Sequence, residues 1–233
     1  MPVRNPFQEI ATREIRTLSK NEVLVQERRH QITEGAFAVF LRKGYKTARL
    51  REIAEACGMS ECAIYEYVGS ESDILHLICA RRSGGAERLK KLLHDMGNIS
   101  RTEALSRCIR QHIANADDGA SANLLFNREI RSFSREDRRG LLASQADIHE
   151  FFKQLLVEGV KAGEFNVDSP ALVAHIILMM GQDWALRRWF LRSMFSLEEY
   201  AEDGIKFVLD AIVVKSDDNV TLETAGAKAG EME

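Results

Sequence analysis

Proline is nearly absent from this chain, with three in 233 residues. Few breakers leave long helices open to most of the sequence, and the apolar residues recur at helical spacing, so a sheet has little room. No apolar run suits a bilayer: the longest, Ala171 to Gly181, is interrupted by His175 and is too short to cross. No signal peptide is read either, and no membrane partner is expected. The four cysteines (Cys57, Cys62, Cys79, Cys108) lack metal-ligand spacing and an accompanying His pair. They read as reduced thiols of a cytoplasmic protein, with a Cys57–Cys62 thiol sensor as the alternative. Missing too are a Gly-rich phosphate loop, a His-x-x-Glu pair and a Ser-His-Asp grouping. The six histidines stand singly, at 30, 76, 94, 112, 149 and 175. An enzyme is therefore not expected, and no metal or cofactor is implied.

What is present is a punctuated series of helices. Ser-x-x-Asp/Glu, the capping box of a helix start, occurs at Ser19/Glu22, Ser70/Asp73, Ser100/Glu103, Ser134/Asp137 and Ser196/Glu199. Ser169-Pro170 marks another start, and Gly44, Gly58, Gly97 and Gly163 supply stops. The spacing predicts nine helices: 22–43, 50–57, 61–67, 71–95, 101–116, 121–131, 134–162, 170–194 and 197–214. The tail 216–233, rich in Asp, Glu, Gly and Thr, is expected to be disordered.

Residues 44 to 75 hold the most informative pattern. A short helix with apolar Leu50, Ile53 and Ala54 breaks at Gly58, and a second begins after Ser60 with Ala63 and Ile64 inward. Two short helices about a Gly turn form a helix-turn-helix, whose second helix fits the DNA major groove. The order Phe40, Gly44-Tyr45, Leu50, Ile53-Ala54, Gly58-Met59-Ser60, Ile64-Tyr65, Leu75 resembles the amino-terminal domain of the tetracycline-repressor (TetR) family over roughly residues 27 to 80. The resemblance implies an all-α protein with a three-helix DNA-binding head (27–80) and a six-helix ligand-binding and dimerisation body (81–215), after an extension over 1–26. It also implies a homodimeric repressor that binds a palindromic double-stranded DNA operator and is released by a small hydrophobic or acyl-type effector, such as an acyl-CoA or fatty acid.

Charge supports the head only mildly. Residues 1 to 82 carry 13 Lys or Arg against 11 Asp or Glu, a net +2 in a chain of net −3. The useful cations are local: Arg28-Arg29, Arg42-Lys43-Lys46 and Arg49-Arg51. Lys46 and Arg49 flank a helix amino terminus, where backbone N–H groups also favour phosphate. The family pattern places DNA contacts at Ser60, Glu61, Cys62, Ala63, Tyr65 and Tyr67. Ile64 reads as core. Tyr65 reads equally as a half-buried strut, whereas Tyr67 reads as exposed beside a turn. Three departures stand against the family pattern: Ala48 for a hydroxyl residue, Val68 for Phe, and Glu71 where a Lys usually meets phosphate. They leave open an alternative, a helical small-molecule-binding or interaction protein with weakened DNA binding.

In the body, the phrase Glu158-Gly159-Val160-Lys161-Ala162-Gly163-Glu164-Phe165 and the run Gly181 to Phe190 resemble the fatty-acid and acyl-CoA responsive subgroup. The helix 170–194 is apolar on two faces, one with Ile177 and Trp184, the other with Leu172, Met179, Leu186 and Phe190. Both must be buried, which predicts an isologous dimer through this helix and 197–214, with Trp184 and Trp189 at the interface. A ligand site is expected around Phe126, Ile130, Phe133, Phe152, Met180, Trp184 and Arg187. Arg110, Arg128, Arg131, Arg187 and Arg188 are candidates to receive a carboxylate or a CoA phosphate, or else pair with surface acids.

Overall fold

The computed structural model describes residues 15–82 and 84–214. The expected disordered tail, most of the amino-terminal extension and the side chains of Cys79 to Arg82 and of Asp137 lie outside that description. Among the described residues the chain forms ten α-helices and no strand. These are α1 Glu22–Lys43, α2 Leu50–Cys57, α3 Glu61–Tyr65, α4 Glu71–Arg82, α5 Gly85–Asp95, α6 Arg101–Asp118, α7 Ala120–Glu129, α8 Arg135–Lys161, α9 Pro170–Leu191 and α10 Leu197–Ile212. A 3₁₀ turn, Ile130–Ser132, follows α7.

Most helix ends lie where the sequence marks them. The hydroxyls of Ser60, Ser100, Ser169 and Ser196 each accept a backbone N–H of the first turn, and Ser196/Glu199 forms the full reciprocal box. The first cap differs. Asn21, not Ser19, caps α1 by accepting from Leu24 N at 3.1 Å, while Ser19 Oγ accepts from Asn21 N. Asparagine and serine cap equally well, so register decides. The expected helix 71–95 is two helices: Gly84 adopts φ +87° and ends the periodic run that the sequence carries straight through.

Helices α1 to α4 pack as the head, around Ile32, Phe40, Ile53, Ile64, Val68 and Ile74. At Gly35 a side chain would meet Cys57 Sγ at 2.5 Å, so α1 and α2 touch backbone to side chain. This head core extends into the body, where Ala122, Leu125 and Phe126 of α7 and Phe133 join it. A second core surrounds α6, where Leu105, Ile109 and Ile113 meet Phe152, Leu156, Ile177, Ile205 and Val208. The carboxylate of Glu164 caps α6 from outside, accepting from Arg101 N, Thr102 N and Thr102 Oγ1, each at 2.9 Å.

Helix α9 breaks at Arg187 (φ −112°, ψ 22°). Asp117, at the end of α6, gathers both sides of the break. It accepts from Trp184 Nε1 at 2.8 Å, Arg188 at 3.4 Å and Arg192 at 3.1 Å. Burial opposes the charge, but these donors outweigh it and hold the Asp117 pKa below its usual range. Trp184 is thus fully buried within the protomer rather than at an interface, because its indole N–H finds its acceptor inside. Trp189, beyond the break, is 82% exposed.

Candidate nucleic-acid interface and cavity

The turn between α2 and α3 is built by Gly58 (φ +65°), with Met59 N donating to Ala54 O at 2.9 Å. Ser60 then caps α3, and its oxygen accepts from Ala63 N at 3.1 Å while the O–H stays available as a donor. Ile64 is wholly buried, which fixes the roll of α3. Glu61, Cys62 and Tyr65 therefore share the outward face, Tyr65 at 48% exposure, and Ala63 is half-buried. Tyr67 is corrected: it is 7% exposed, because Ile64, Tyr67 and Val68 fall on one inward stripe. Its carbonyl accepts from Arg29 at 2.9 Å.

That bond corrects Arg29 as a phosphate cation. Its guanidinium spans from Tyr67 O to Ile15 O, and partial burial lowers its pKa. Lys43 pairs with Glu52, whose carboxylate is held below its usual range by that ammonium and by Arg49 N. Arg51 pairs with Glu55 at 3.0 Å. Lys46 and Arg49 are exposed and have no ion-pair partner among the described residues. Arg49 occupies the N-cap of α2, and since arginine has no acceptor, only the reciprocal half of a box forms, Arg49 N to Glu52 at 3.2 Å. Glu71 lies exposed in the first turn of α4.

A partly open cavity of about 160 Å³ lies between α5 and α9. Of the residues expected at a ligand site, it is lined by Phe126 and Ile130. The others do not reach it. Phe133 turns into the head core, Phe152 packs edge-on behind His112, and Met180 lies over Gly204. Trp184 is tied to Asp117, and Arg187 pairs with Asp183 at the surface. The other arginines are likewise absent from the wall: Arg110 pairs with Glu202, Arg188 with Asp117, and Arg128 with Glu129.

The polar liners are ones the sequence reading missed. Asn115 comes from α6, Asn123 and Asn127 from α7, Ser144 and Gln145 from α8, Gln182 from α9 and Arg88 from α5. His112 completes the wall. Its Nε2 lies 3.3 Å from Leu178 O, an acceptor, so Nε2 carries the proton and Nδ1 is left as an acceptor. Burial pushes its pKa down, keeping the ring neutral. Gly181 permits this contact, since a Cβ there would sit 2.6 Å from Nε2. Among the described residues, neither Asp nor Glu lines the cavity.

One wall links the cavity to the head. Phe126 meets Phe133 at 5.9 Å between ring centroids, Phe133 meets Tyr45 at 6.3 Å, and Tyr45 meets Phe40 at 5.2 Å, all edge-on. Edge-to-face contact is the favoured geometry for such rings.

On the opposite side of the body, Leu172, Ile176 and Phe190 stay exposed along one stripe of α9, and Phe207 does so on α10. Ile177 is fully buried in the protomer core.

Residues 32–77 match the family model described as bacterial regulatory proteins, tetR family, and residues 98–212 match that of the tetracyclin repressor-like C-terminal domain. The chain is 28% identical over 202 residues to the HTH-type transcriptional regulator HbdR of Aromatoleum sp. (strain CIB), covering 84% of this chain and 85% of that one. The TetR family transcriptional regulator PfmR from Thermus thermophilus superposes with a TM-score of 0.66 at 27% identity, over 77% of this chain and 97% of the other. The transcriptional regulator FadR from Bacillus subtilis, solved in complex with stearoyl-CoA, superposes with a TM-score of 0.64 over 77% and 97%. At 19% identity that last likeness is one of fold.

Proposed function

Because the chain belongs to the TetR family of DNA-binding transcriptional regulators, we propose that it is a cytoplasmic homodimeric repressor, released from a palindromic operator by a small effector in the α5–α9 cavity. The fold and relatives are those of regulators, not of enzymes. The observation that carries the ligand-responsive part is the double membership of α7. Phe126 lines the cavity and also packs in the core that positions α2 and α3. A ligand that displaces Phe126 in one state more than the other shifts the population of head geometries.

DNA contacts are assigned to Lys46 and Arg49 for phosphate and to Glu61, Cys62, Ala63 and Tyr65 for the groove, with Ser60 donating from its hydroxyl. Tyr67 serves as the strut beneath them. Dimerisation is assigned to the α9–α10 face, where Leu172, Ile176, Phe190 and Phe207 lose water against a second copy. The twofold then places two reader helices about one turn of DNA apart, roughly 34–36 Å. The effector is assigned to the class of acids and acyl thioesters, to which the stearoyl-CoA of FadR belongs.

The deciding experiment titrates labelled DNA from the promoter beside the protein's own gene, by fluorescence anisotropy at low and physiological salt. Sequence-selective binding that weakens steeply with salt is expected. Absence of binding at low salt by a folded protein leaves instead a small-molecule-binding body whose head does not grip DNA.

A further inference from the structure

We propose that the cavity selects a small anion with hydrogen-bonding groups along its length, and discriminates against a saturated acyl chain. The inference rests on the reading of this cavity as the effector site. It comes from the distribution of polar groups, which is not that of a lipid tunnel. Side-chain amides line three walls: the half-buried Asn123 on α7 and Gln182 on α9, and the exposed Gln145 on α8. None of the three has a side-chain hydrogen bond among the described residues. Each carries two N–H donors and a carbonyl acceptor. A ligand that fills the space must meet these groups or leave them unpaired.

A saturated tail satisfies none of these groups. Each polar group stripped of water and left unmet costs roughly five- to a hundredfold in affinity. With amides on three sides, a tail cannot avoid them by lying against one wall. An amide, hydroxyl or carbonyl spaced along the ligand meets them, while Phe126, Ile130 and Leu178 supply the apolar remainder.

The charge follows from the same wall. Arg88 is the one permanently charged liner and has no carboxylate partner among the described residues. Its planar fork fits a carboxylate or phosphate with two parallel bonds. The neutral His112 adds no second charge, and no acid among the described liners offers a cationic ligand a counter-ion. A free carboxylate and the phosphate of a nucleotide-borne thioester share the anion that Arg88 receives, so the probes separate those sources.

The test is calorimetric titration of the full chain with five probes: N-acetylglycine, hexanoate of the same heavy-atom count, the neutral N-acetylglycinamide, dodecanoate and acetyl-CoA. N-acetylglycine is expected to bind at least about tenfold more tightly than hexanoate, one well-made hydrogen bond's worth. Arg88→Ala should erase its advantage over N-acetylglycinamide. Asn123→Leu and Gln182→Leu should each shrink its advantage over hexanoate, with melting curves confirming folded variants. Acetyl-CoA binding tightest and losing affinity in Arg88→Ala supports the proposal with phosphate as the anion. Dodecanoate or hexanoate binding more tightly than both amide-bearing anions overturns it, yet leaves the cavity as the effector site. Binding by none of the five removes the cavity from that role, and the ligand class with it.

Discussion

The guanidinium of Arg128, near the end of α7, donates a 2.9 Å hydrogen bond to the main-chain carbonyl of Phe40 in the last turn of α1. The same carbonyl accepts Gly44 N at 2.8 Å. A body helix thus holds the stop of a head helix, directly above the turn that bears Lys46 and Arg49. Arg128→Ala should lower stability by roughly 1–2 kcal/mol, because a charge-assisted bond is lost from a half-buried site. Phe133→Ala, which breaks the aromatic series in the middle, should cost about 3–5 kcal/mol. Urea unfolding followed by circular dichroism measures both. An Arg128→Ala protein as stable as the parent shows that α7 does not brace α1.

The proposed dimer face separates two adjacent isoleucines. Ile176 is 41% exposed on the protomer, whereas Ile177 is fully buried. Ile176→Glu should give a folded, soluble monomer by size-exclusion chromatography with light scattering. Ile177→Glu should unfold the body instead, since an unpaired charge would enter its core. Dimers that persist in Ile176→Glu place the interface elsewhere.

Glu71 lies in the first turn of α4, where its charge suits the helix dipole but would oppose DNA on the proposed reading. Glu71→Lys should raise affinity at low salt and steepen the salt dependence by about one unit, with little effect on sequence preference. The cost to the head is roughly 0.3–1 kcal/mol from the reversed dipole interaction. Arg49→Ala should act in the opposite direction. Anisotropy at two salt concentrations, beside a melting curve, tests both; an unchanged Glu71→Lys affinity means that the residue does not face the backbone.

Gly181 of α9 leaves room for the His112 ring of α6, since a side chain there would meet Nε2 at 2.6 Å. Gly181→Ala should destabilise by about 1–3 kcal/mol, since the ring is rigid and boxed in by Phe152. It should also weaken binding of any ligand that uses Nδ1. A neutral ΔΔG would mean that the two helices separate easily.

The same histidine gives stability a pH dependence. Its folded-state pKa lies below the ordinary 6.5, because burial penalises the imidazolium. Below 6.5 the unfolded chain binds a proton that the folded chain refuses, so stability falls as pH drops through that value and is regained as pH rises above it. His112→Gln keeps a donor for Leu178 O and should flatten the melting temperature between about pH 5 and 7. A slope unchanged in the variant assigns the effect to another group.

Local signals proved readable and distant ones did not. Capping serines and left-handed glycines act within one turn, so the starts at Ser60, Ser100, Ser169 and Ser196 and the stops at Gly44 and Gly58 stand in the sequence itself. Gly84 escaped notice because apolar spacing continues on both sides of it. Arg29 resembled a phosphate ligand because its acceptor, Tyr67 O, is 38 residues away. The apolar half of the cavity was partly legible in Phe126 and Ile130. Its amide half was not, since Asn123, Gln145 and Gln182 read singly as solvated helix surface. Only the packing of three helices turns those surfaces toward one space.

On the proposed function, Phe126 answers to two selective demands at once. A substitution that reshapes the chamber for a new molecule also perturbs the packing under the reader helix, and one that adjusts the head is felt by the bound compound. Ligand preference and operator strength therefore cannot drift independently through this position. A lineage that changes its inducer by way of α7 must re-tune its promoter in the same steps, whereas a change at Gln182 on α9, which lines the cavity but is not part of the head core, can alter the inducer and leave the promoter as it was.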